Sequence, residues 1–227
     1  MNSTAVSREP SGHAAVLFSG LELTSAFAHD TMKWNMIKCF RREGLTEMNH
    51  ADRRTAADRI LYDFGLLGKL EEIGKAHIIG SYRMNTMAWN DLDIDIENDR
   101  MSMEMLYDLT AFIIETFRPV WYEAKEEKTE TRTVWFHGFE TTIIGELWNV
   151  DLWFFDRETI LQAEQYCDDI ARRMTQAQKD VTVHIKQELI QRGLYSFEKY
   201  KSIDIYSAVL DKGVTSIDEF LNCCPLI

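Results

Sequence analysis

Between His77 and Ile96 the chain reads H-I-I-G-S-Y-R-M-N-T-M-A-W-N-D-L-D-I-D-I, and its last six residues leave few local structures open. Asp91, Asp93 and Asp95 alternate with Leu92, Ile94 and Ile96. A strand sends successive side chains to opposite faces. One face therefore carries three carboxylates and the other three aliphatic side chains. Carboxylates held that close repel one another, and a charge near a core costs free energy unless something compensates it. A divalent cation is the usual compensation, and Mg²⁺ takes oxygen ligands. Upstream, the apolar run Ala76 to Ile79 enters Gly80-Ser81, where a glycine lets the backbone turn tightly or approach a ligand. The stretch reads as a metal site beside a phosphate-binding turn.

A fourth carboxylate stands in a later strand-like run. In Leu147 to Trp153 the apolar Trp148, Val150 and Leu152 share one face, and Asn149 and Asp151 share the other. Asp151 is thus a carboxylate set in a hydrophobic strand.

Around these strands the pattern is α+β: a mixed, mostly antiparallel sheet flanked by helices, with a helical C-terminal domain. Three parts are expected. Residues 1–47 form an N-terminal appendage with a small, polar start and helical spacing of Phe27, Trp34, Ile37 and Phe40. Residues 48–156 form the sheet domain, and 157–227 the helical one. Within the sheet domain, Asp99 is expected to cap a helix from about Met101 to Phe117. Strands are expected over Val120 to Ala124, Val134 to Phe139 and Ile143 to Phe155. The charged run Lys125 to Arg132 reads as a hairpin turn or loop, Gly138, Glu140 and Thr141 as a turn, and Gly145 as a bulge. In the C-terminal part Asp156, Gly193, Gly213 and the pair Ser216 and Glu219 mark helix ends.

Composition narrows the partners. The formal net charge is −12, which repels nucleic-acid backbones at long range and draws in cationic molecules. Nucleic acid is therefore an unfavoured partner. Cys39, Cys167, Cys223 and Cys224 show no C-x-x-C spacing, which suits a reducing, cytoplasmic setting. No apolar run is long enough to span a membrane. Nothing in the pattern speaks to oligomeric state.

Gly80-Ser81, a spacer, Asp91-Leu92-Asp93 and a distant Asp151 together resemble the nucleotidyltransferase superfamily typified by DNA polymerase beta. The resemblance covers about residues 49–156. It implies Mg²⁺-dependent transfer of a nucleoside monophosphate from an NTP co-substrate to a hydroxyl, with two Mg²⁺ ions clamping the attacking and leaving oxygens. It implies that Asp91, Asp93 and Asp151 are the catalytic, metal-holding carboxylates and that Gly80 and Ser81 hold the triphosphate. Arg83 and the helical-domain Lys186 are further candidates for the nucleotide's phosphates. Two departures stand out. Where many members carry Ala-Arg-Gly, this chain has Arg83-Met84-Asn85, so Arg83 is displaced by one position. Asp95 is an extra carboxylate and a candidate ligand if the register shifts by two.

Each residue also has a plainer reading. Lys186 fits a solvated helix face, His77 a satisfied core histidine, and Trp89 and Trp148 core packing rather than base stacking. Three functions compete. The size, helical tail and acidity resemble bacterial enzymes that modify aminoglycoside or lincosamide antibiotics, which implies a small, cationic acceptor. A nucleotidyltransferase acting on protein or tRNA is the alternative, and a non-catalytic nucleotide-binding member the third.

Overall fold

The computed structural model describes residues 50–128, 133–196 and 198–226. The expected appendage over 1–47 lies outside them, as does Cys39.

Two helices open the described chain: α1 (His50–Asp58), continued by a π turn over Arg59–Asp63, and α2 (Leu66–Glu71). The strands follow as β1 (Lys75–Ile78), β2 (Asp91–Glu97), β3 (Trp121–Lys128), β4 (Thr133–Ile143) and β5 (Glu146–Phe155). A short helix α3 (Gly80–Met84) joins β1 to β2, and a long one, α4 (Met103–Phe117), joins β2 to β3. The sheet order is β1-β2-β5-β4-β3. Only β2 and β5 run parallel, and the other neighbours are antiparallel. The expected α+β class with a mostly antiparallel sheet is what the structure shows.

The period-two pattern decides which face is dry. Leu92, Ile94 and Ile96 of β2 lie in one core cluster with Val150, Leu152 and Phe154 of β5. Ala57 and Ile60 before β1 and Leu109 and Ile113 of α4 pack onto the same cluster. The carboxylates of β2 and β5 fall on the opposite face.

Several boundaries differ from the sequence expectation, each for a physical reason. Helix α4 is capped by Ser102, whose hydroxyl accepts from the Met105 N–H, and not by Asp99. The charged run does not turn at Lys125. It continues β3 to Lys128 along the sheet edge, where Lys125 pairs with Glu123 and Glu127. Charged side chains suit an edge strand because they discourage pairing with another chain. Gly138, Glu140 and Thr141 form no turn but lie inside β4. A Cβ on Gly138 would meet the Phe136 ring at 2.5 Å and the Trp121 ring at 3.0 Å, so this glycine serves close packing. Thr141 is buried and donates its hydroxyl to the Phe117 carbonyl. The turn falls at Ile144-Gly145, both with positive φ, between Ile143 and its register partner Glu146. That is the two-residue hairpin geometry matched to strand twist. Gly145 is a turn residue, not a bulge.

Four helices complete the chain: α5 (Arg157–Arg173), α6 (Gln176–Gln191), α7 (Ser202–Asp211) and α8 (Ile217–Cys223). Asp156, Thr175 and Ser216 each accept from the third residue of the helix they cap. These helices build a second core that includes Ile185, Leu189, Ile205 and Phe220. Met84 of α3 lies in this second core, whereas Tyr82, also of α3, lies in the first. The turn after β1 is therefore gripped from both sides. Among the described residues no helix is long and apolar enough to cross a membrane.

Candidate active site

Two strands deliver the site. The parallel register of β2 and β5 sets Asp91 beside Asn149 and Asp93 beside Asp151. Oxygens of Asp91, Asp93 and Asp151 lie within 4.8 Å of one another. Asp91 and Asp151 are buried, and Asp93 is the more open of the three.

The electrostatics are those of charges crowded in a poorly solvated place. Burial raises Asp93 well above the ordinary carboxylate range, and the neighbouring charges of Asp91, Asp151 and Asp95 raise it further. Burial and then Asp91 push Asp151 up to about 8. Asp91 is raised by burial, against hydrogen bonds from Asn149 and Trp89 and the charge of Lys186. Asp151 Oδ1 is buried with no hydrogen-bond partner. A buried, unpartnered carboxylate oxygen costs free energy that a cation recovers. Three hard oxygen donors from two rigid strands, one of them orphaned, fit Mg²⁺.

Gly80 has φ +62, and a Cβ there would lie 2.1 Å from Asp93 Oδ2. The residue is glycine because the backbone runs directly against the carboxylate. Ser81 stands next to it in the first turn of α3. Lys186 is not on a solvated face. It is fully buried, donates to the Tyr206 hydroxyl at 2.7 Å and to the Thr86 carbonyl at 3.5 Å, and lies over the Trp89 ring. Its charge acts on both Asp91 and Asp93.

Arg83 has a different position. Its guanidinium makes a two-point contact with Asp168 at 2.6 and 2.9 Å and a third bond to Glu164 at 2.7 Å. Those contacts tie α3 to α5. Asp95 is fully buried and outside the three-carboxylate cluster, with both oxygens unpartnered and its carboxyl pushed to about 8 by burial and by Glu164. His77 is buried between Glu164 at 3.0 Å and Glu97 at 3.3 Å. Trp148 belongs to the dry core, and Trp89 stacks edge-on against Tyr195.

Sequence reasoning put Asn149 on the face of Asp151 but gave it no role; it donates to Asp91 Oδ1 at 2.9 Å and also bonds Asp151. The signal was present, since Asn149 precedes Asp151 by two in a strand and so shares its face. Arg53 was also missed. It holds the loop before β2 by bonds to Asn90 and to the Met87 carbonyl, and nothing local in its helix marks it.

No family model matches the chain, and no curated protein does. Solved structures do. The Cid1 poly(U) polymerase with MgGTP bound is similar at 14% identity and a TM-score of 0.51, over 80% of this chain and 55% of that one. This protein has a nucleotidyltransferase fold. A cytoplasmic RNA terminal U-transferase is similar at 14% identity and a TM-score of 0.47, over 77% of this chain and 49% of that one. The GLD-2–GLD-3 non-canonical poly(A) polymerase complex is similar at 14% identity and a TM-score of 0.46, over 86% and 60%. The chain thus spans about half the length of the structures it matches.

Proposed function

We propose that this protein transfers a nucleoside monophosphate from an NTP to a hydroxyl. The observation that carries the reading is the convergence of Asp91, Asp93 and Asp151 within 4.8 Å in this fold. Mg²⁺ bound there, as one or two ions, would neutralise triphosphate charge and stabilise the attacking and leaving oxygens. Asp91 and Asp93 would hold it from β2 and Asp151 from the neighbouring β5. The Asp151 carboxylate would also accept the proton of the attacking hydroxyl. Gly80 and Ser81 cradle the triphosphate with backbone N–H groups and a hydroxyl. Lys186 reaches toward the phosphates from the helical side, held in place by Tyr206 and Thr86. Arg83, engaged by Asp168 and Glu164, braces the turn and does not itself bind phosphate.

The acceptor we infer is a small cationic molecule. The net charge of −12 supports it, and Glu123 and Glu140 add negative charge around Asp151. A second reading, an RNA 3′ hydroxyl, is favoured by the likeness to the poly(U) polymerase. One experiment separates them. The protein is incubated with Mg²⁺, each of the four NTPs, and either a panel of polycationic small molecules or an oligoribonucleotide, and products are read by mass. A gain of one nucleotidyl unit on a small cation supports the first acceptor, and extension of the oligonucleotide supports the second. Asp93→Asn abolishes either product while the fold survives. Undiminished product from that variant overturns the site.

A further inference from the structure

Cys223 and Cys224 end α8 and its cap, on the helical core and outside the three-carboxylate cluster. Both thiols are free and half-buried, and their sulfurs lie 3.3 Å apart. Adjacent cysteines are often splayed, because neighbouring side chains diverge along an extended backbone. Here the pair is held converged. The Cys223 thiol donates to the Phe220 carbonyl, and the Tyr200 hydroxyl donates to the Cys224 carbonyl at 2.6 Å. Lys212 Nζ bonds the Cys223 carbonyl and lies 3.5 Å from Cys224 Sγ.

We propose that Cys223-Cys224 is a chelating site for a thiophilic trivalent metalloid of the arsenic type. The sulfur separation selects the ligand. Metal–thiolate bonds of about 2.3 Å spanning this gap meet close to a right angle. A tetrahedral zinc ion with bonds of that length needs sulfurs about 3.8 Å apart and two further donors. No third metal-ligating group joins the pair among the described residues. A pyramidal p-block centre, with three bonds and a lone pair, bonds near a right angle and is satisfied by two thiolates and one substituent of its own.

The step balances without an oxidant. A monosubstituted arsenous acid carries two As–OH groups. Two S–H and two As–O bonds break, two As–S bonds form, and two waters leave. Arsenic stays trivalent throughout.

The test uses the full chain, first reduced with a phosphine that is then removed. A monosubstituted phenylarsenical is added and the protein washed with a monothiol, which strips reagent from single cysteines but not from a chelate. Intact mass is then read. The expected result is one adduct per chain, equal to the reagent less two waters, lost in Cys223→Ser and in Cys224→Ser. Circular dichroism of both variants confirms that they fold. An adduct that survives in the double variant, or one that forms only after denaturation, overturns the site. So does zinc binding that matches the arsenical in affinity and is lost in the same variants.

Discussion

The Asn149 side-chain amide donates to Asp91 Oδ1 at 2.9 Å, across the one parallel strand pair of the sheet. The same amide bonds Asp151, so one residue orients carboxylates from both strands. Groups that orient metal ligands typically contribute a factor of about 10–100 in metal affinity or activity. Asn149→Ala is therefore expected to raise the Mg²⁺ concentration for half-maximal thermal stabilisation by about that factor. Unchanged Mg²⁺ dependence would show that the amide is only packing.

Protons and Mg²⁺ compete for Asp151. Its carboxyl is held near 8 in the folded protein and titrates near the ordinary carboxylate value when unfolded. Between those values the folded state binds a proton that the unfolded state has released, so stability without metal falls as pH rises through that window. Asp95, also held near 8, adds to the same slope. Mg²⁺ binding displaces the Asp151 proton, so its stabilising effect grows toward about pH 9. Denaturant titrations with Mg²⁺ or a chelator at several pH values check both slopes. Asp95→Asn flattens the metal-free slope, and a variant as steep as the parent refutes the assignment to Asp95.

Gly80→Ala places a methyl group 2.1 Å from Asp93 Oδ2 at a backbone angle that disfavours a side chain. The strain is on the order of 1–2 kcal/mol for the left-handed angle alone. Nucleotide binding is expected to be lost, with Asp93 displaced, while α4 and the C-terminal helices keep their circular-dichroism signal. Calorimetry with a non-hydrolysable NTP reads the loss, and full affinity would count against the close approach.

Lys186→Met keeps most of the volume and removes the charge. A hydrogen bond to a charged group contributes on the order of 1.5–3 kcal/mol, so NTP affinity is expected to fall at least about tenfold. The same calorimetry decides it, since an unaltered affinity would leave Lys186 a core residue bonded to Tyr206.

Ile144 is an exposed, β-branched residue at φ 53 in the β4–β5 turn. Asparagine tolerates that angle and is preferred in such turns. Ile144→Asn is expected to stabilise the protein by about 1 kcal/mol. A lower melting temperature would mean that Ile144 makes contacts worth more than its strain.

The sheet strands and the C-terminal helices were legible because their signals are local. The alternation in Asp91 to Ile96 marks a strand, and Ser216 with Glu219 marks a helix start. The misread positions are those where a local signal had two meanings. Gly138 and Gly145 look alike in the sequence, but one lets aromatic rings approach and the other turns the chain. The charged residues after Ala124 read as a loop because an edge strand and a loop expose the same chemistry.

The alternating sequence by itself determined that Asp91, Asp93 and Asp95 share a face and that Asp151 shares one with Asn149. Only the tertiary structure decided which of them meet. The parallel pairing of β2 with β5 brings Asp93 to Asp151, while the deeper Asp95 stays fully enclosed. It also decided the two cations. Lys186 and Arg83 look equally available along the chain, yet Glu164 and Asp168 of α5 engage Arg83, and burial against Tyr206 directs Lys186 toward the carboxylates. Side-chain periodicity is set by neighbouring residues, whereas partner choice is set by elements far away in sequence.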